Sequence, residues 1–105
     1  MKRNKYGAKK TVVDGIKFDS KRESERYKEL KLLEKAGEIA DLSLQVRFDF
    51  VINGVKLGFY KADFSYWDDN NNRSVVEDVK GFKTPVYNLK KKLMKAIHGI
   101  DILET

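Results

Sequence analysis

The chain of 105 residues has no cysteine, one histidine, one proline and one tryptophan. Without cysteine there can be no disulfide, no thiol nucleophile and no cysteine-ligated zinc. A lone histidine, His98, removes histidine-rich zinc sites and argues against histidine-dependent nuclease motifs. Long apolar runs are missing too. None approaches the ~18 residues of a membrane span, and Met1-Lys2-Arg3 is not followed by the apolar stretch of a signal peptide. These absences lead us to expect a soluble, intracellular protein. The length fits one domain, burying about two-thirds of its unfolded surface, with no second catalytic domain.

Acid is absent from two stretches. Lys2, Arg3, Lys5, Lys9 and Lys10 form a basic arm over residues 1–10, which holds most of the +6 net charge. Residues 79–100 contain Lys80, Lys83, Lys90, Lys91, Lys92 and Lys95. Cations clustered in this way suit a polyanion-binding surface, because each neutralised phosphate releases counterions. A solvated tail and a soluble helix face would read the same way.

Hydrophobic spacing then gives the elements. Val12 to Phe18 reads as a short extended segment bent at Asp14-Gly15, a hairpin dipeptide. Ser20 with Glu23 is a capping box, and Tyr27, Leu30 and Leu33 recur at helical spacing until Gly37. From Leu42 the period becomes two: Leu42, Leu44, Val46, Phe48, Phe50 and Ile52 alternate with Ser43, Gln45, Arg47 and Asp49. Asn53-Gly54 predicts a hairpin that returns through Val55 to Trp67. After the polar turn at Asp68 to Asn72, Ser74 to Lys80 reads as a central strand broken by Gly81. Thr84 and Pro85 open a second helix with Val86, Leu89, Leu93, Met94 and Ile97 as its buried stripe. Gly99 ends it, and Ile100 to Leu103 makes a last strand, reached by a right-handed crossover to a parallel neighbour. The expected architecture is α/β, a mixed β-sheet of four to five strands flanked by helices.

The residues able to carry chemistry lie on the two facing strands. Adjacent pairing of these strands brings Asp63 near Asp78, and two such carboxylates can share a hard divalent cation whose octahedron waters and a substrate phosphate complete. Lys80, two residues beyond Asp78, projects to the same side and would serve the attacking water or the phosphate charge. A plain cross-strand ion pair of aspartate and lysine has the same spacing. Glu77 alternates to the opposite face and ranks below Asp78. Asp68, Asn70 and Asn72 superficially fit a calcium loop, but Arg73 stands where glycine is needed and Val79 where glutamate is needed. Tyr6 could stack on an unpaired base. His98 fits a helix-end dipole partner better than a catalytic base.

Asp63 followed after fourteen residues by Asp78-Val79-Lys80 resembles the core signature of the PD-(D/E)XK nuclease superfamily, with Ala62 where its name has proline. Lys5-Tyr6-Gly7, Gly15 to Lys21, Glu23, Tyr27, Leu30, Gly37, Ile39, Leu42 and Gln45 extend the resemblance to small phage and prophage proteins regarded as endonucleases of that superfamily. The resemblance implies a restriction-endonuclease-like fold and DNA cleavage dependent on Mg2+ or Mn2+, with Asp63, Asp78 and Glu23 on the metal and Lys80 completing the catalytic set. It also implies kinship with Holliday-junction resolvases, selection of branched DNA by shape, a homodimer, and the cytoplasm of a bacterial host. Under this reading Lys2, Arg3, Lys5, Lys9, Lys10, Lys83, Lys90 and Lys91 contact DNA. Gln45 would touch a ligand side chain or DNA, or be an ordinary polar strand residue. Glu23 has two competing roles, cap and ligand. One helical turn sets it on the face of Tyr27, which together with the resemblance favours the site. Glu25, about 200° round the helix, should be solvated. The alternative function is a non-catalytic nucleic-acid-binding accessory protein on the same fold, and a third class is a purely structural interaction domain.

Overall fold

The computed structural model describes residues 10–79 and 83–105. Lys2, Arg3, Lys5, Tyr6 and Lys9 of the basic arm, and Lys80 and Gly81, lie outside the described residues.

Local chemistry sets the turns. Asp14 and Gly15 take φ of 53° and 75°, the left-handed pair that a two-residue hairpin needs, and join β1 (Thr11–Val13) to β2 (Ile16–Phe18). Ser20 then caps α1 (Lys21–Lys35), its hydroxyl accepting from the Glu23 amide at 3.1 Å. The helix ends in a Schellman motif: the Gly37 amide donates to Glu34 and the Glu38 amide to Leu33. Asn53 and Gly54, at φ 51° and 77°, close the long hairpin of β3 (Ile39–Ile52) and β4 (Val55–Asp68). Asp68 accepts the amides of Asn70 and Asn71 and so turns the chain into β5 (Arg73–Asp78). Thr84 caps α2 (Pro85–Leu93), which runs into one π-helical turn, Met94–His98, before β6 (Leu103–Glu104).

The main sheet has the order β3-β4-β5-β6, antiparallel except for the parallel pair β5 and β6 that α2 connects. The protein is thus mixed α/β: the described residues form a four-stranded mixed sheet, a separate two-stranded hairpin and two α-helices. Phe18, Tyr27, Leu30, Ile39, Phe64, Tyr66 and Val75 form a core beneath α1. Phe50, Tyr60, Ala62, Val76, Tyr87, Met94 and Ile102 form another beneath α2. No helix among the described residues is long and apolar enough to cross a membrane.

The long hairpin changes faces along its length. Leu42 and Leu44 pack with Phe64 and Tyr66, whereas Phe48 and Phe50 pack with Tyr60 and Ala62. Strict alternation would keep all these even-numbered residues on one side. The change falls at Gln45, φ 53°, between the registered pairs Leu44↔Phe64 and Val46↔Ala62, so that Gln45 stands opposite Asp63.

Several expectations are corrected. The third strand starts at Ile39 rather than Leu42, because Ile39 is buried and pairs with Asp68 directly after the helix cap. Ile52 is exposed rather than core, since a bulge after Phe50 precedes the projecting hairpin tip. The fifth strand ends at Asp78, and the last strand is Leu103–Glu104, because Ile100 and Ile102 are spent as packing under α2. Val86 and Leu89 are 61% and 57% exposed, and Tyr87 is buried in their place. The Tyr87 hydroxyl donates to Glu104 at 2.7 Å and its ring lies 6.5 Å from that of Tyr60, which turns α2 about one residue away from the expected stripe.

Met94→Ala should therefore cost about 2–5 kcal/mol. Leu89→Ala should stay within about 0.5 kcal/mol of wild type. Urea denaturation of the two variants checks the rotation of α2, and equal losses would overturn it.

Candidate active site at a carboxylate pair

The register Phe64↔Glu77 sets Asp63 opposite Asp78. Their carboxyl groups lie within hydrogen-bonding reach of each other. The Val79 amide donates to Asp63 Oδ2 at 2.8 Å, and the Tyr60 hydroxyl donates to Asp78 Oδ2 at 2.5 Å. Asp78 is only 3% exposed. Burial, then the hydrogen bond to and charge of Asp78, with a smaller push from Glu23, raise the Asp63 carboxyl to about 8 against the opposing Val79 amide. Asp63 therefore holds its proton at neutral pH. Burial and Asp78 also push the Tyr60 hydroxyl far up, so it remains a donor.

Glu23 joins from the first turn of α1. Its amide is taken by Ser20, while its buried carboxylate accepts from Gln45 Nε2 at 3.4 Å. Cap and site roles were expected to compete; the main chain serves one and the side chain faces the other. Gln45 thereby links Glu23 to the strand position opposite Asp63, and four elements meet at one place. Lys80 falls outside the described residues.

Glu77 lies on the other side and is fully buried. The Arg26 guanidinium grips both its oxygens, and the hydroxyls of Tyr66 and Thr105 donate to it at 2.7 and 3.0 Å. Glu77 in turn holds Arg26 more firmly protonated than usual. The carboxylate is satisfied and takes no part in the pair.

Among the described residues no three His, Cys, Asp or Glu side chains converge closely enough to hold an ion by themselves. Magnesium asks for less, since it keeps several waters and is held by one or two carboxylates. Asp63 and Asp78 fit that demand: they are hard oxygen donors, Asp78 buried and Asp63 half-buried, and a cation could replace the proton that Asp63 holds. Glu23 sits one layer back, within electrostatic reach of Asp63.

An open cleft of about 310 Å³ is lined by Asp63, Asp78, Phe59, Tyr60, Lys61, Thr84, Val86, Tyr87 and Lys90. A larger hollow of about 550 Å³ lies between Val13 and α1, lined by none of the site carboxylates, and several of its polar groups are paired, Tyr27 with Asp14, Lys28 with Glu25 and Lys31 with Glu34. Around the cleft the lysines differ. Lys83 and Lys91 pair with Glu104 at 2.9 and 3.2 Å, and Lys83, Tyr87 and Lys91 hold the Glu104 carboxyl down to about 2. Lys61 and Lys90 line the cleft with no acidic partner among the described residues. Lys10 is exposed, at the edge of the described segment. His98 is elsewhere, its Nε2 2.8 Å from the Asp49 carbonyl and its ring against Phe48. Tyr60, Lys61 and Phe59 were not singled out from the sequence, although Phe59 and Lys61 precede Asp63 at the two-residue spacing of one strand face.

A family model matches residues 3–100, a span containing Glu23, Gln45, Asp63, Asp78 and Lys80. The chain belongs to the DUF1064 family. DUF1064 is described as a protein of unknown function. No curated protein and no solved structure matches the chain. The assignment of this DUF1064 site therefore rests on its own geometry.

The raised Asp63 carboxyl links stability to pH. The folded state keeps a proton that the unfolded chain releases above about pH 4. The resulting stabilisation is complete below that pH and is lost as pH rises through about 8. In EDTA, the Tm of wild type should fall from pH 5 to pH 8, and Asp63→Asn should flatten that fall; parallel pH profiles would overturn the retained proton. Glu77→Ala takes from Arg26 its buried partner, leaving it only the exposed Glu29, and should cost about 3 kcal/mol in a denaturant titration at any pH in that window.

Proposed function

We propose that this DUF1064 chain is a metal-dependent DNA endonuclease that hydrolyses phosphodiester bonds, with a restriction-endonuclease-like arrangement of site and sheet. The observation that supports it is the facing pair of half-buried Asp63 and buried Asp78, with the Asp63 carboxyl raised to about 8, in a cleft where Lys61 and Lys90 have no acidic partner among the described residues. Like carboxylates pressed together favour whatever positive charge can replace the proton. Magnesium or manganese held by Asp63 and Asp78, with Glu23 behind, would supply Lewis acidity and a water of lowered pKa.

The chain's own groups do the rest. The Val79 amide and the Tyr60 hydroxyl fix how the two aspartates point. Gln45 holds Glu23 toward the pair. Lys61 and Lys90 are placed to take phosphate oxygens on the cleft walls, and preorganised cations stabilise charge that develops there. Lys80, assigned to the attacking water by its spacing from Asp78, enters the proposal from the sequence alone. A body of this size has little surface for base-specific readout, so recognition of shape, branched DNA above all, is part of the proposal. Cutting two strands symmetrically calls for two clefts, and hence a homodimer.

Cleavage of labelled single-stranded, duplex, flap and four-way-junction DNA, with Mg2+ or Mn2+ against EDTA, tests this. Wild type should cut at least one form only with metal, and Asp78→Ala should fall to the EDTA blank while still binding DNA at low salt. DNA binding without cutting, the same in wild type and Asp78→Ala, would replace the endonuclease with an accessory nucleic-acid-binding protein.

A further inference from the structure

Phe59 is a large aromatic left 38% exposed on β4, four residues before Asp63 and lining the same cleft. It is not bare. The Arg47 guanidinium carbon lies 4.0 Å from its ring centroid and the Lys90 ammonium 5.4 Å from it. Register explains the contact: Asp49 is paired with Phe59 and Arg47 with Lys61, so Arg47 reaches Phe59 across the diagonal. Asp49 accepts from Arg47 Nε at 2.9 Å and keeps the guanidinium there. Arginine stacked on an aromatic ring still offers its outer plane to another flat group.

We propose that Phe59 and Arg47 form a stacking shelf for an unpaired nucleobase beside the carboxylate pair. The inference rests on the endonuclease reading for where the cut falls, and names its substrate as DNA that is single-stranded or splayed at that point. Three observations converge on a nucleotide. A flat aromatic with a flat cation upon it accepts any base face, which is how single strands are held without regard to sequence. Lys61 and Lys90, without acidic partners among the described residues, flank the ring where the phosphates on either side of a stacked base would run. Val86, 61% exposed at the first turn of α2, gives the opposite wall an apolar surface for a sugar or base edge. The cleft, at about 310 Å³, is at the small end of ligand sites and takes one nucleotide rather than a base pair. In a duplex both faces of each base are stacked, so the shelf has nothing to hold until a base leaves the helix.

The test is fluorescence anisotropy of the full chain with a labelled oligo-dT and with a blunt duplex of equal length. It is run in EDTA at one low salt concentration, for wild type, Phe59→Ala and Phe59→Leu. The same proteins are then assayed for cutting with Mg2+, and their association is followed by sedimentation. Phe59→Ala should bind oligo-dT about 10-fold more weakly and duplex nearly as wild type does. Phe59→Leu, which keeps apolar bulk without a π-face, should fail to restore the single strand. Equal weakening on both DNAs, full rescue by leucine, or unchanged oligo-dT binding would each overturn the shelf. So would a wild-type dimer that dissociates in Phe59→Ala, since a second copy would then be what covers the ring. Wild-type cutting that Phe59→Ala retains in full, with unchanged binding, removes the shelf and leaves the endonuclease. A Phe59-dependent preference for oligo-dT with no cutting by any protein keeps the shelf as a binding site and removes the endonuclease.

Discussion

Two carboxyl groups held side by side, Asp78 buried and Asp63 half-buried, are the constraint from which the rest of this architecture follows. At about 4 Å, two ionised groups near a protein surface repel by about 4 kcal/mol. Asp63 avoids that by keeping its proton into neutral pH. The two are nevertheless held together, because each is anchored from behind: Asp63 by the Val79 amide, Asp78 by the Tyr60 hydroxyl, and both by the antiparallel register of β4 and β5. The repulsion cannot relax by movement. It can relax only by acquiring positive charge, whether a proton or a cation.

β5 separates two neighbouring acids into opposite roles. Glu77 faces α1, where Arg26, Tyr66 and Thr105 satisfy it completely, so it acts as a clamp between helix, sheet and the end of the chain. Asp78 faces the other way and meets a tyrosine and a second aspartate. One residue of strand alternation thus divides a fully satisfied acid from one that faces a second carboxyl group. The division holds only because Arg26 lies one turn beyond Glu23 on α1, so a single helix contributes both the counter-charge of the clamp and the third carboxylate near the pair.

What was legible in the sequence was local or periodic. Asp14-Gly15 and Asn53-Gly54 carry their left-handed conformations in their residue types, and Ser20 and Thr84 carry their caps. The facing of Asp63 and Asp78 followed from hairpin and strand order, and the α/β class from the alternation of periods. Less visible was anything decided between elements. The apolar spacing of Val86 and Leu89 looked like a core stripe, but Tyr87 won the buried position through Glu104 and Tyr60, partners far away in the chain. Gln45 gave no sign that the hairpin changes faces at its position, because a left-handed glutamine is selected by the packing on both sides rather than by propensity. Phe59 and Lys61 were within reach, since the two-residue period leads from Asp63 back to them.

The left-handed geometry of Gln45 has a consequence away from the site. Among the described residues β3 is an edge strand and runs from Ile39 to Ile52, long enough for its open side to template another chain. Asp41 and Gln45, at φ 55° and 53°, break the regular ladder twice. Farther along, His98 occupies the Asp49 carbonyl. What remains is short, interrupted stretches that a stray strand cannot follow, so the kink that gathers the acidic residues also protects the protein from fibrous self-assembly.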